Sequence, residues 1–167
     1  TPPATDVKKK SEKHIHQTRP PKQKEGNNVR WIVPLILVIT FLAFIPALNA
    51  GFVSWDDGEY VYENPLLKNG NLKLLLTTPM QGNIHPLTML SLFINYMISG
   101  NNAWSYHVFN LLFHLINCFL VFRLAMVLSN RNIIIAFTTA ILFGIRPVHV
   151  ESVAWVSERK DVLYTMF

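Results

Sequence analysis

The sequence has very little cysteine, and very little charge outside its first thirty residues. The single cysteine, Cys118, excludes an internal disulfide and a cysteine-based zinc site. The sequence also lacks a P-loop, a GxGxxG fingerprint and an HExxH pair. These absences argue against the usual soluble nucleotide-binding and metalloprotease classes.

Half of the 167 residues are apolar, and they occur in long blocks that are typical of a membrane protein. Residues 1–30 hold eight of the 15 basic side chains and three of the 10 acidic ones. A nucleic-acid-binding domain would carry its basic groups on a folded face with interleaved aromatics, so we expect no nucleic-acid partner. The arm 1–30 has too few aliphatic residues to fold, and we predict that it is disordered and cytoplasmic.

The first apolar run carries no charge between Trp31 and Ala50, a length that as a helix gives the roughly 30 Å needed to cross hydrocarbon. A secretory signal peptide is the alternative. However, the basic region is long for one, and Leu48 occupies a position where a cleavage site ending at Ala50 requires a small residue. We therefore predict a transmembrane helix, with the N-terminus in the cytoplasm because the basic residues precede it.

The remaining apolar blocks predict an all-α, polytopic membrane protein with three transmembrane helices and the start of a fourth. The outer loop should carry interfacial amphipathic helices at about 84–98 and, less regularly, 66–76. In chain order, the predicted segments are a first span 31–52, an outer loop 53–104, a second span 105–128, a third span 132–146, an outer loop 147–161 and the start of a further span at 162–167.

A polar stripe runs along the predicted second span at i, i+3, i+7 and i+10: His107, Asn110, His114 and Asn117. These spacings place all four side chains on one helical face. Polar groups at membrane depth avoid lipid, so the stripe should form hydrogen bonds between helices. A bis-histidine haem site is the weaker alternative, because its two ligands would have to come from facing helices.

Two groups of ionisable residues follow spans that end on the same predicted side of the membrane. Asp56, Asp57 and Glu59 follow the first span, and a second group follows the third span. Glycosyl transfer by direct displacement needs a carboxylate that deprotonates an acceptor hydroxyl and cations that hold a departing phosphate. The two groups supply both types. The second group contains His149, Glu151, Arg159, Lys160 and Asp161.

Several short motifs follow one another along the chain. They are FVSWDDG at 52–58, YENP at 62–65, HPLT at 85–88, the histidine and asparagine positions between 106 and 114, PVHVE at 147–151 and ERKDVL at 158–163. Together these motifs resemble the membrane part of the transmembrane and tetratricopeptide-repeat proteins. This family belongs to the GT-C class of polytopic glycosyltransferases and is related to the protein O-mannosyltransferases. The resemblance covers about 31–167 and departs from the family's pattern at Arg146, where the family often has histidine.

The resemblance implies transfer of a sugar, with mannose as one candidate, from a polyprenyl-phosphate donor to a Ser/Thr hydroxyl of an acceptor protein. The reaction would occur on the luminal or periplasmic face of a multi-pass membrane protein. One of Asp56 and Asp57 would be the catalytic base. His149 and Glu151 would organise the acceptor or a divalent cation, and Arg159 and Lys160 would bind the lipid phosphate. His85 and Asp161 lie in the same motifs and are predicted to bind substrate.

The resemblance also implies that this chain is an N-terminal fragment, inactive alone, of a protein with more spans and a repeat domain that selects protein partners. Two functions from other classes stay open. The polar stripe could line a path in a transporter or flippase. Alternatively, the chain could be a non-catalytic membrane scaffold in which Asp56 and Asp57 form a turn.

Overall fold

The structure, a computed structural model, describes residues 26–167 and is helical throughout this part of the chain. Its only extended pairing in that range is an isolated bridge between Met80 and Asn83. The predicted all-α class is therefore confirmed. The prediction of disorder for the basic arm concerns mainly residues 1–25, which lie outside the described residues.

Two helices are long and apolar enough to cross a membrane. Helix α1 (Gly26–Phe44) begins five residues before the predicted span, and a 3-10 turn, Ile45–Asn49, extends it. Helix α5 (Ala103–Leu128) has 26 residues, which is about 39 Å of helix. The lengths and hydropathy of these two helices agree with the predicted first and second spans.

The third predicted span is a shorter helix, α6 (Ile133–Gly144), of 12 residues. It begins where the Asn132 side chain accepts hydrogen bonds from the amides of Ile134 and Ile135. Its last carbonyl, that of Gly144, lies 3.0 Å from Nε2 of His114, close to the middle of α5. The length of α6 is about 18 Å, so it ends level with the centre of α5. That this segment spans the membrane remains a prediction.

Helices α1, α5 and α6 share one apolar core, which includes Ile36, Phe122 and Cys118. Small residues on α6 allow its close approach, because Ala136, Ala140 and Gly144 recur every fourth residue on its buried face. A Cβ atom on Gly144 would meet the Thr40 hydroxyl and lie 3.1 Å from the sulfur of Cys118. The free cysteine is therefore a packing residue.

The first outer loop folds into a π-helical turn and three helices. They are Gly58–Tyr62, α2 (Pro65–Asn69), α3 (Leu72–Thr77) and α4 (Pro86–Ser99). The amphipathic helix predicted at 84–98 corresponds to α4, whereas the segment predicted at 66–76 is divided by Gly70, which has a φ of 65°. A second core, with Tyr60, Leu92 and Tyr106 among its members, attaches these elements to the start of α5.

The last part of the chain contains two short helices, α7 (His149–Ala154) and α8 (Arg159–Tyr164). Helix α8 begins three residues before the predicted start of a further span. Both helices pack against α5, and α8 also packs against α4. They therefore connect the first outer loop to the bundle of α1, α5 and α6.

Candidate functional site

Asp57 connects the two segments that the sequence predicts as outer loops, 53–104 and 147–161. Its carboxylate is buried. Oδ2 accepts a hydrogen bond of 2.8 Å from the amide of Val53, and Oδ1 accepts one of 2.8 Å from the amide of Ser157. Hydrogen bonds to an ionised carboxylate are strong and offset the cost of burying its charge. Both oxygens are therefore used to join segments that lie one hundred residues apart in the chain.

Asp56, the neighbouring acid, is only partly buried. Its Oδ1 accepts a hydrogen bond of 2.6 Å from Nε2 of Gln81. Its Oδ2 has no hydrogen-bond partner among residues 26–167. Of the two predicted catalytic acids, Asp56 alone presents a free carboxylate oxygen.

Gln81 and Gly82 form a tight turn, and the contact of Gln81 with Asp56 was not anticipated from the sequence. Both residues have positive φ, 48° and 82°, as a two-residue hairpin turn requires. The turn is closed by hydrogen bonds in both directions between Met80 and Asn83. The sequence offers no signal for the contact, because Gln81 lies 25 residues from Asp56 in the chain.

Lys160 lies on the same surface as Asp56, beside the ring of Tyr60. Its Nζ is 2.9 Å from Oε1 of Glu158 and 6.0 Å from the centre of the Tyr60 ring. Burial raises the pKa of Tyr60, the charge of Lys160 acts in the opposite direction, and the charges of Asp56, Glu59 and Glu158 raise it further. The structure thus brings the predicted acid and the predicted cation together around one phenol.

The pKa of Lys160 is raised although burial acts to lower it, because the hydrogen bond and the charge of Glu158 favour the ammonium form. The side chain is therefore a stable cation near neutral pH. The indole rings of Trp55 and Trp155 stack next to this region, 6.1 Å apart and nearly parallel. This stack is a second link between the two outer segments.

Arg159 is fully buried, and its guanidinium N–H groups donate hydrogen bonds to other residues of the protein. Nε donates to Oδ1 of Asn110 at 2.7 Å, and Nη2 donates to Oδ1 of Asn95 at 2.8 Å and to the carbonyl of Tyr106 at 3.1 Å. Nη1 donates to the carbonyl of Ser91 at 3.2 Å. Burial lowers the pKa of Arg159 to about 9, which still leaves it charged at neutral pH. The sequence predicted that Arg159 binds a lipid phosphate. The N–H groups that such a contact would require are already bonded to α4 and α5, where they hold α8 in place.

The other predicted residues meet in a cavity of about 520 Å³ between α5, α6, α7 and α8. His149, Glu151 and Asp161 line it, together with His114 and Asn117. Nε2 of His149 is buried and has no hydrogen-bond partner within the described part of the chain. Burial, with the charge of Arg146, lowers the pKa of His149, so its imidazole is neutral at neutral pH.

His85 comes from the predicted first outer loop and contacts one of the residues that line this cavity. Its Nδ1 lies 2.7 Å from the hydroxyl of Tyr164, and Tyr164 lines the cavity. The predicted substrate-binding residues therefore divide into two groups on α8. Lys160 lies beside Tyr60, the residue whose pKa the charge of Asp56 raises. Asp161 and Tyr164, by contrast, line the cavity.

The polar stripe of α5 is buried and forms the hydrogen bonds between helices that its spacing predicts. Asn110 donates to the carbonyls of Val153 and Trp155, and Asn117 donates to the carbonyl of Val162 at 2.7 Å. His114 contacts the end of α6. This part of the interpretation is confirmed, although both ring nitrogens of His107 lack a partner among residues 26–167.

A divalent cation was one option for His149 and Glu151. Within the described ranges, no three His, Cys, Asp or Glu side chains lie close enough together to hold a metal ion. His149 and Glu151 therefore have no third ligand of these types beside them in this part of the chain, and what the residues provide is a polar cavity with an unpartnered imidazole nitrogen.

The relatives found by comparison with known proteins are named protein O-mannosyl-transferases. A protein O-mannosyl-transferase of Caenorhabditis elegans is 27% identical over 179 aligned positions, which cover 93% of this chain and 26% of the relative. Human protein O-mannosyl-transferase TMTC3 is 29% identical over 81% of this chain and 16% of its own length. Drosophila melanogaster protein O-mannosyl-transferase Tmtc1 is 31% identical over 74% of this chain and 16% of its own length.

No family profile matches the chain, and no solved structure matches it. The chain spans about a quarter or less of the length of these three relatives. The resemblance indicated by the motifs is nevertheless confirmed, since the homologues carry the name that the motifs predict. By sequence, this chain is a homologue of the TMTC protein O-mannosyl-transferases.

Proposed function

We propose that this chain forms part of the catalytic membrane domain of a GT-C-type protein O-mannosyltransferase. The reaction would move mannose from a polyprenyl-phosphate donor to a Ser/Thr hydroxyl of an acceptor protein, on the luminal or periplasmic face. The observation that carries the proposal is the difference between the two adjacent acids. Asp57 has both oxygens bonded, whereas Asp56 is oriented through one oxygen and free at the other.

Asp56 is the proposed general base. A base must be held in one orientation and still have an oxygen within reach of the hydroxyl proton. The hydrogen bond from Gln81 provides the orientation, and Oδ2 would take the proton as the hydroxyl attacks the sugar carbon. Gln81 is then a positioning residue that acts through Asp56.

Lys160 is the proposed cation for the departing phosphate. Its ammonium group is stabilised by Glu158 and lies in the same charged neighbourhood as Asp56. A fixed positive charge stabilises the negative charge that develops on a leaving phosphate. Arg159, by contrast, would support this arrangement from the interior by holding α8 in place.

The cavity that contains His149, Glu151 and Asp161 is proposed to hold part of a substrate, with His85 beside one of its lining residues. It offers acceptor and donor groups to sugar or peptide hydroxyls, and it includes a buried imidazole nitrogen with no protein partner within residues 26–167. Unpaired buried polar atoms are costly, so a ligand that bonds to His149 would gain binding energy.

The test compares Asp56→Asn and Asp57→Asn in the protein that carries this chain, with transfer from mannosyl polyprenyl phosphate to an acceptor protein as the readout. We expect Asp56→Asn to lower kcat by about a hundredfold or more and to leave the melting temperature unchanged. Asp57→Asn should instead lower the melting temperature, because Asn cannot accept from both amides as well as the carboxylate does. Gln81→Ala should lower kcat less than Asp56→Asn, at unchanged stability.

Unchanged transfer by the Asp56→Asn protein would reject the proposed role of this residue. A second candidate function is flipping of a lipid-linked sugar, which is favoured by the position of the cavity at the level of the middle of α5. In that case Asp56→Asn should leave transport intact, whereas changes at His149 or Asp161 should abolish it. If the protein is a non-catalytic scaffold, the wild-type protein should show neither sugar transfer nor lipid transport.

A further inference from the structure

A second cavity, of about 580 Å³, lies at the other end of α5, beside the turn into α6. Three apolar side chains, Phe122, Met126 and Val127, line it together with the polar side chains of Arg123, Asn130 and Arg131. This end of α5 lies about 25 Å along the helix from Tyr106, which packs in the core beneath the outer loop. The cavity is therefore separate from the proposed active site.

The backbone of the turn places an arginine where a glycine would be expected. Asn130 and Arg131 both have positive φ, 53° and 64°, and the amide of Arg131 closes the helix by donating to the carbonyl of Met126 at 2.8 Å. Asparagine tolerates this conformation, but arginine is rarely found in it. An arginine in such a conformation points to a role for its side chain.

The charges of Arg123 and Arg131 are not balanced by any carboxylate in the described part of the chain. The only ion pair there joins Lys160 and Glu158. All acidic residues of that part lie in two segments, 51–102 and 147–161, which pack toward the start and the middle of α5. Arg123 contacts the ring of Phe119, with 5.8 Å between the guanidinium carbon and the ring centre, and its donors form no side-chain hydrogen bond within residues 26–167.

We propose that this cavity binds an anionic phospholipid of the bilayer, with the lipid phosphate between Arg123 and Arg131. A guanidinium group can bind phosphate through two parallel N–H···O hydrogen bonds. The end of a long apolar helix lies at the depth of the lipid headgroups. The acyl chain would pack along Met126 and Val127. A free phosphate ion would leave the apolar lining residues unused, so a lipid accounts for both the apolar and the cationic part of the lining.

The site differs from that proposed for the sugar donor. The donor phosphate would lie near Asp56 and Lys160, whereas this cavity lies beyond the opposite end of α5. The two proposals are therefore independent, and the lipid site can be tested without an assay of sugar transfer.

The experiment uses the 167-residue chain in mixed micelles that contain equal amounts of phosphatidylglycerol and phosphatidylcholine. Native mass spectrometry then measures the ratio of the two lipids that remain bound. We expect the wild-type chain to retain phosphatidylglycerol preferentially and the Arg123→Gln/Arg131→Gln chain to lose about tenfold in this preference. Arg123→Lys/Arg131→Lys should keep most of it, because the charge remains.

The matched control is Lys68→Gln/Lys73→Gln, which removes two exposed cations from the outer loop and should not change the ratio. Circular dichroism shows whether each variant keeps its helix content, and the single variant Arg123→Gln provides a second measurement if the double variant does not fold. Equal retention of the two lipids by the wild-type chain would overturn the proposal. Undiminished preference in a folded glutamine variant would do the same, and so would displacement of the lipid by millimolar glycerol 3-phosphate, which would indicate a site for the soluble phosphate group alone.

Discussion

Adjacent residues of the same type have different environments in this chain, and the difference is set by their hydrogen bonds. Asp56 and Asp57 share one turn, but only Asp57 meets the backbone of the second outer segment. Arg159 and Lys160 divide in the same way, one buried among amide and carbonyl oxygens and the other paired at the surface with Glu158. In each pair, one member supports the fold and the other remains available for chemistry.

Replacing Arg159 by methionine should destabilise the protein by about 3 kcal/mol or more, because several buried acceptors lose their donor at once. These acceptors include the side-chain oxygens of Asn95 and Asn110. The adjacent Lys160→Met is the control, and it should cost at most about 1 kcal/mol since a partly exposed ion pair contributes little. Thermal unfolding in detergent measures both. Similar losses for the two variants would contradict the assignment of Arg159 to the interior.

His149 should make stability depend on pH. Burial lowers its pKa below the usual value of 6.5, so protonation is more costly in the folded state than in the unfolded chain. Its contribution is therefore fully present above about pH 6.5 and is lost as the pH falls through the lowered pKa. Between pH 7 and pH 5, the wild-type protein should lose more thermal stability than His149→Asn. Parallel pH curves for the two proteins would refute the expectation.

At the scale of elements, the packing of α6 depends on small residues at its interface. Gly144→Ala would place a methyl group against the hydroxyl of Thr40 and the sulfur of Cys118. We expect a loss of about 1–3 kcal/mol of stability, with partial recovery when Thr40→Ala is added. Gly51→Ala is the control, because a Cβ there meets nothing within 4 Å. Thermal unfolding of the three variants and the wild-type protein checks the prediction, and an unchanged Gly144→Ala protein would mean that α6 packs less closely.

The elements themselves were largely predictable, and their contacts were not. Hydropathy and period located α1, α4 and α5 because each is long enough to show its pattern within one segment. The burial of Asp57 and Arg159 could not be predicted, since charged residues in a loop usually lie in water. Their partners lie up to one hundred residues away in the sequence, beyond any local pattern. The contact of Gln81 with Asp56 was missed for the same reason.

At the scale of the whole molecule, the end of α5 differs from the rest of the described chain in having basic residues without acidic ones nearby in the sequence. The acidic residues belong to the segments around the start and middle of this helix, whereas Arg123 and Arg131 lie at its end. The positive-inside rule, applied to the eight basic residues of segment 1–30, predicts a cytoplasmic N-terminus. It therefore predicts an outer position for α2 and α3 and a cytoplasmic position for the turn between α5 and α6.

Cysteine labelling in sealed vesicles tests this orientation in a Cys118→Ala background. A cysteine in place of Ser129 should react with an impermeant reagent only from the cytoplasmic side. A cysteine in place of Asn69 should react only from the other side. The reverse pattern would place the proposed active site in the cytoplasm and would exclude a luminal or periplasmic reaction.

The hydrogen bond between Asp57 and the amide of Ser157 also has a consequence for biosynthesis. During translation, Asp57 leaves the ribosome well before Ser157. The first helix is therefore inserted while the carboxylate of Asp57 still lacks its second amide donor. During that interval water or a chaperone must solvate the acid. The outer loop can reach its final form only when the last helices have been translated, and a premature stop codon before them should send the polypeptide to quality-control proteases.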